Sequence, residues 1–327
     1  MTYAVSFDDI AAAESRLTGN IRRTPLVSSP FLDDLAGRRV LIKPECLQHT
    51  GSFKARGAWS AISALPDHLR ARGVIAFSSG NHAQGVAWAA RAHGVPSVII
   101  MPRDAPALKI ANTRALGAEV ILYDRESEDR DQIGATMAAD RGLSLIKPYD
   151  DPMVIAGQAS VGMEIADQAA EMGVNSADVL VCCGGGGLTS GIALALSARA
   201  PGLRARPVEP AGFDDVARSL SAGTVQRNAR LGGSICDAIV TPQPGDLTFP
   251  IMSAHCGPGL SVSDDDALAA MAQAFLRLKL VAEPGGAVAL AAALTLPDQI
   301  KGDTVIAVIS GGNVDPETFA RALATLG

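Results

Sequence analysis

The sequence predicts an α/β protein of two domains, each an open, mostly parallel sheet flanked by helices. Three observations carry this: short apolar runs rich in β-branched residues, Ala-rich stretches of helical periodicity between them, and glycine clusters where a strand hands over to a helix. The strand-like runs are Val40–Lys43, Val74–Phe77, Ser97–Ile100, Val120–Tyr123, Leu143–Ile146, Val179–Val181, Arg204–Val208 and Val305–Ile309. Helices are expected at Lys54–Leu65, Gly80–His93, Pro152–Met172, Leu188–Arg199 and Asp264–Leu280. Runs that are apolar throughout have no face to give to water, so both faces of each sheet must be covered, as in parallel strands joined by crossover helices. Residues 73–147 hold four strand–helix units that close on themselves, which predicts a small domain there. Residues 1–50 and 148–327 then form a large domain, with the Lys54 region at its edge to about residue 72. A ligand is expected between the two, where the carboxyl ends of strands gather.

With 48% hydrophobic but only 4% aromatic residues, the core has to be built from Ala, Val, Ile and Leu. The net charge of -6 leaves no basic face for nucleic acid, and no polybasic stretch suits an acidic membrane surface. The cysteines, Cys46, Cys182, Cys183, Cys236 and Cys256, are odd in number and form no C-x-x-C pair. They read as small buried hydrophobes in a reducing cytoplasm. Met1–Arg16 carries Asp8, Asp9 and Glu14 without a secretory signal pattern, and runs such as Val288–Leu296 are too short to span a bilayer. A soluble, cytoplasmic protein is expected.

Four segments carry chemistry. Val179-Leu-Val-Cys-Cys runs into Gly184, Gly185, Gly186 and Gly187 and then into a helix, so bare backbone N–H groups converge at a helix start on what suits a phosphate monoester. Neither a P-loop lysine nor a G-x-G-x-x-G spacing follows, which excludes the common nucleotide fingerprints. Thr50-Gly-Ser52-Phe53-Lys54 places helix-capping residue types before a lysine in a first helical turn, where the helix dipole disfavours its charge. A desolvated lysine near positive charge loses its proton and becomes a nucleophile able to form a Schiff base. Ser78-Ser79-Gly80-Asn81-His82 is a second strand-to-helix turn, suited to a carboxylate; its histidine also fits a packed position. Val305–Ile309 ends in Ser310-Gly-Gly-Asn313, where the glycines allow close approach of a ligand and Ser310 offers one hydrogen bond.

Together these segments resemble the tryptophan-synthase-type (fold type II) family of pyridoxal-phosphate enzymes, in its serine/threonine dehydratase and serine racemase branch. The likeness runs from Arg23-Thr-Pro25-Leu to Ser310-Gly-Gly-Asn313, and the Ser-Ser-Gly-Asn-His form at Ser78–His82 favours dehydratases over sulfhydrylases. The resemblance implies that the large domain binds pyridoxal 5'-phosphate and the small one the substrate. It implies that Lys54 holds the cofactor aldehyde, Phe53 packs on its ring, Asn81 binds the ring hydroxyl and Gly184–Gly187 bind the phosphate. Ser310 would face the pyridine nitrogen, and being neutral would leave the ring a weak electron sink suited to prompt β-elimination. Ser78, Ser79, Asn81 and His82 would surround the substrate carboxylate.

The reaction so implied is removal of water from a small hydroxy-amino acid such as serine, threonine or 3-hydroxyaspartate, giving a 2-oxo acid and ammonia. Lys54 would take the α-proton, and Ser78 on the opposite face would permit racemisation. A serine- or aspartate-type racemase and a non-catalytic phosphate-ligand binder remain as alternatives. Glu209, the carbonyl of Phe213 and Asp215 match a site for Mg²⁺ or Ca²⁺ in this branch, and a homodimer is implied; a solvated helix start at Asp214 is the other reading of those carboxylates. The sequence ends at Gly327 without the regulatory domain of biosynthetic threonine dehydratases, so isoleucine feedback is not expected. Gly232-Gly-Ser-Ile-Cys236-Asp237-Ala departs from the usual Ser-Ile-Ala-Asp-Gly at the substrate pocket. Neither Arg56 nor Arg114 is singled out as partner of a distal carboxylate.

Overall fold

The structure, a computed structural model, describes residues 3–326 except 106, 125 and 231. Nine strands form two sheets among these residues. They are β1 (Arg39–Pro44), β2 (Val74–Phe77), β3 (Ser97–Pro102), β4 (Glu119–Tyr123), β5 (Ser144–Leu145), β6 (Ala177–Cys182), β7 (Leu203–Pro210), β8 (Leu260–Val262) and β9 (Thr304–Ile309). One sheet has the order β1-β9-β6-β7-β8 and the other β4-β3-β2-β5, and every pairing is parallel.

Alternation along each strand shows why the runs are apolar throughout. In β9, Val305, Ala307 and Ile309 enter one core, packed under the helix Pro284–Thr295. Ile306 and Val308 enter the opposite core with Val161, Ile165, Ile192 and Leu196 from the helices Pro152–Glu171 and Gly187–Arg199. The second sheet repeats the arrangement. Val74 and Ala76 of β2 meet the helices Lys54–Ala64 and Asn81–Ala92, while Ile75 meets Ile133 and Met137 of the helix Arg130–Arg141. No helix among the described residues is long and apolar enough to cross a membrane.

One strand lies outside the sequence reading and two expectations about elements need correction. β8 carries too few residues, Leu260-Ser-Val262, to show a period, and is a strand because it pairs with Val208–Pro210 at the sheet edge. The helix expected to Leu280 is α-helical only over Asp264–Gln273; Ala274–Leu278 widens into a π-turn, and Lys279 ends it in the left-handed region (φ 62°). Neither Thr50 nor Ser52 caps the helix Lys54–Ala64. Its N-cap is Phe53, the Thr50 hydroxyl donates to the His49 carbonyl (2.6 Å), and Ser52 is extended, bridging to Gly311.

Candidate active site

A cavity of about 280 Å³ lies where the carboxyl ends of β2, β6 and β9 face one another. Phe53, Lys54, Ser78, Ser79, Asn81, His82, Gly184–Gly187 and Ser310, which are 250 residues and more apart at their extremes, all line it. Glu209, Phe213 and Asp215 lie elsewhere, on the end of β7 and the turn that follows it.

Lys54 enters from the first turn of its helix, and its Nζ donates to the Pro148 carbonyl (2.6 Å). Burial pushes its amine down to about 8, and the nearby carboxylate of Glu283 opposes that shift. The charge expected to depress this lysine is therefore absent as a cause; desolvation does it, against an anion. The Phe53 ring centroid is 5.1 Å from Nζ. His82 points away from such chemistry: burial, then Lys54, pushes it down to about 3, so the neutral ring donates Nε2–H to the Ile146 carbonyl (2.8 Å). Ser78 Oγ accepts from the Gly80 N–H (3.1 Å) and keeps its own proton to donate.

The glycine loop is shaped by what lies over it. The Tyr149 ring occupies the space where a Cβ on Gly185 would stand, and Gly186 has φ +91°. Among the described residues no protein atom accepts from the N–H groups of Gly184–Gly187, which open onto the cavity at the start of the helix Gly187–Arg199. The Thr189 hydroxyl on the same helix is buried without a hydrogen-bond partner. Bare donors at a helix N-terminus, facing a lysine of lowered pKa across one cavity, fit a phosphorylated aldehyde.

Sequence reasoning did not find Glu283, Tyr149, Lys109 or Arg130, which line the same cavity. Glu283 accepts from Asn81 Nδ2 (2.5 Å), and burial pushes its carboxyl up to about 7. Arg56 is committed elsewhere: its guanidinium lies between Glu45 (2.7 Å) and Glu164 (2.7 Å) in the protein interior. Arg114 does not line the cavity.

Comparison with known proteins matches residues 17–311 to the family model described as pyridoxal-phosphate dependent enzyme. The chain is 43% identical to an L-threo-3-hydroxyaspartate ammonia-lyase of Pseudomonas sp. over 97% of its own length and 98% of the relative's. It is 37% identical to a serine racemase of Schizosaccharomyces pombe, covering 97% of each. A solved threonine deaminase, from T.th., superposes with a TM-score of 0.89 at 43% identity, covering 95% of this chain and 99% of that one.

Proposed function

Because the chain belongs to the pyridoxal-phosphate-dependent enzyme family, and is an ammonia-lyase removing water from a small hydroxy-amino acid, we propose that its substrate carries a second, distal carboxylate, as 3-hydroxyaspartate does. The observation that supports this reading is a pair of cations, Lys109 and Arg130, lining the cavity on the side of the second sheet. Among the described residues Arg130 has an exposed contact to Asp131 (3.6 Å), and Lys109, whose charge lowers the Glu283 pKa, has no ion pair. Two cations at a cavity wall, neither held in a buried ion pair among the described residues, suit a dianionic substrate. The relative named for L-threo-3-hydroxyaspartate points the same way.

When bound, pyridoxal phosphate supplies the electron sink that acidifies an amino acid's α-proton. The chain's own residues do the rest. The glycine loop N–H groups, with the helix behind them, would hold the cofactor's phosphate, and Asn81, Ser310 and Phe53, which line the same cavity, would hold its ring. The N–H groups at the start of the helix Asn81–Ala92, with Ser78 and Ser79, hold the α-carboxylate. Lys54 receives the α-proton, which its lowered basicity allows close to neutral pH. The 3-hydroxyl would leave as water with the proton that Lys54 has taken, giving an enamine that adds water and releases ammonia to leave a 2-oxo acid. Racemisation is the second reading, in which Ser78, whose Oγ accepts from the Gly80 N–H and keeps its own proton, would return a proton to the α-carbon. Glu209, Asp215 and the Phe213 carbonyl are assigned to Mg²⁺ or Ca²⁺ in a structural role: Asp215 Oδ2 is buried without a partner, as an oxygen awaiting a cation would be.

One assay tests the catalytic reading. Formation of 2-oxo acid and inversion of chirality are followed together on serine, threonine and all stereoisomers of 3-hydroxyaspartate. A 3-hydroxyaspartate isomer should have the highest kcat/KM. Arg130→Met and Lys109→Met should each lower that value roughly tenfold or more, the worth of one charged hydrogen bond, while moving serine turnover little. Lys54→Ala should lose both turnover and the cofactor's visible absorbance. Serine preferred by the wild type would overturn the distal-carboxylate reading, and inversion outrunning oxo-acid release would replace dehydratase by racemase.

A further inference from the structure

Asn313 follows the Ser310-Gly-Gly turn at the end of β9, and nothing in the reaction outlined above uses it. Its Nδ2 donates twice: to the Thr50 carbonyl (2.8 Å) and to Asn81 Oδ1 (2.7 Å). Thr50 sits at φ 58°, a left-handed conformation that a β-branched residue rarely adopts, four residues before Lys54. The neighbouring Gly51 carbonyl accepts from the Gly312 N–H (2.9 Å), so the whole turn that delivers Lys54 is sewn onto the loop bearing Asn313.

The direction of each amide follows from chemistry at the two ends of this chain of bonds. The Thr50 carbonyl can only accept, so Asn313 must turn its NH₂ toward it. The second hydrogen of that NH₂ then meets Asn81, which must answer with its oxygen. Asn81 Nδ2 is thereby turned to the Glu283 carboxylate (2.5 Å), which accepts. With its oxygen turned to Asn313 and one Nδ2 hydrogen given to Glu283, Asn81 has its second Nδ2 hydrogen left to offer the cavity.

We propose that Asn313 is a positioning residue: it sets the direction of the Asn81 amide, and with it the donor Asn81 offers to pyridoxal phosphate, while pinning the Thr50–Gly51 turn ahead of Lys54. This rests on the reading that Lys54 and Asn81 hold the cofactor. Asn313 reaches neither the substrate nor the reacting atoms and acts only through these neighbours. An aspartate is nearly its isostere but inverts the logic, placing acceptors opposite the Thr50 carbonyl and Asn81 Oδ1, so that the Asn81 amide must flip or lose its partner.

The test compares wild-type holoprotein with Asn313→Asp, Asn313→Ala and Asn313→Ser, reading the dissociation constant for pyridoxal phosphate by equilibrium dialysis, the visible absorbance band, and the melting temperature. Asn313→Asp should weaken cofactor binding roughly tenfold or more, and Asn313→Ser, which keeps one donor, should weaken it less. In an Asn81→Ala background the same Asn313→Asp change should cost clearly less, because the two act in series. Unchanged affinity in Asn313→Asp, an undiminished cost in the Asn81→Ala background, or a lowered melting temperature with affinity intact would each overturn the proposal. Should Asn313→Asp fail to fold, Asn313→Ala and Asn313→Ser decide by the same criteria. If instead Lys54→Ala and Asn81→Ala both leave cofactor binding and the visible band untouched, the cofactor reading beneath the proposal fails, a pattern distinct from any of these.

Discussion

Glu283 stands at the N-cap of the helix Pro284–Thr295 but caps nothing; its side chain turns into the cavity and is only 4% exposed. Burial raises its carboxyl to about 7, against the lowering effects of Asn81, Lys109 and Lys54. A carboxyl whose folded pKa lies above its unfolded one contributes stability below the unfolded value and loses it as pH rises through the folded one. Cofactor-free protein should therefore lose up to roughly 3 kcal/mol between about pH 4.5 and pH 7 relative to Glu283→Gln, read by urea unfolding at both ends of that window. Parallel unfolding curves for the two proteins across the window would refute this. In the sequence, Ala282-Glu283-Pro284-Gly reads as an ordinary helix start with Pro in the first turn, and nothing local marks its acid as buried. That Lys54, Ser78–His82 and Gly184–Gly187 line one cavity was legible because each lies in a contiguous motif at a helix start. Glu283, Lys109 and Arg130 are single residues brought in by the fold, so only three-dimensional convergence reveals them.

At the level of elements, the helix Lys54–Ala64 is held by an interior ion network that its sequence does not advertise. Arg56 Nε and Nη2 donate to the Glu45 carboxylate (2.7 and 2.8 Å), and Nη1 and Nη2 donate to Glu164 (2.7 and 3.0 Å). Lys43 Nζ joins the network at Glu164 (2.6 Å), tying β1 to the helix Pro152–Glu171. A guanidinium two residues beyond Lys54 thus fixes the base of the helix that aims the lysine. Arg56→Ala leaves two buried carboxylates unmatched and should cost about 3–5 kcal/mol in unfolding free energy. Arg56→Lys should recover only part of that, since an ammonium cannot span both carboxylates as the fork does; full recovery in denaturant unfolding would count against the network. The alternation of strands and helices was readable because apolar period and length repeat along the chain. The partners of Arg56 were not, since Glu164 lies 108 residues away and charged residues are read by default as solvated.

The molecule as a whole responds near one edge of the five-stranded sheet, where β7, next to the edge strand β8, carries Glu209 one residue before its end. That residue is fully buried, and its two oxygens accept from the Val216 and Ala217 N–H groups (2.9 and 2.7 Å), capping the helix Asp215–Ala222. Asp215 lies beside it, with Oδ1 accepting from Asn228 Nδ2 (2.6 Å) and Oδ2 left without a partner. Two buried carboxylates with no cation between them repel, and β7, the helix and the 226–228 turn all bear that cost. A divalent cation that binds only the folded chain would shift the global equilibrium by mass action, by about 2.7 kcal/mol at a hundredfold excess over its dissociation constant. For a chain of this length that raises Tm on the order of 5 °C. Asp215→Asn removes one charge and should abolish the response to Mg²⁺ or Ca²⁺ while leaving the metal-free protein at least as stable as wild type. Thermal melts of both proteins with EDTA and with saturating Mg²⁺ or Ca²⁺ decide the matter: equal shifts would place any cation elsewhere, and no shift in wild type would leave the paired carboxylates as a helix cap alone.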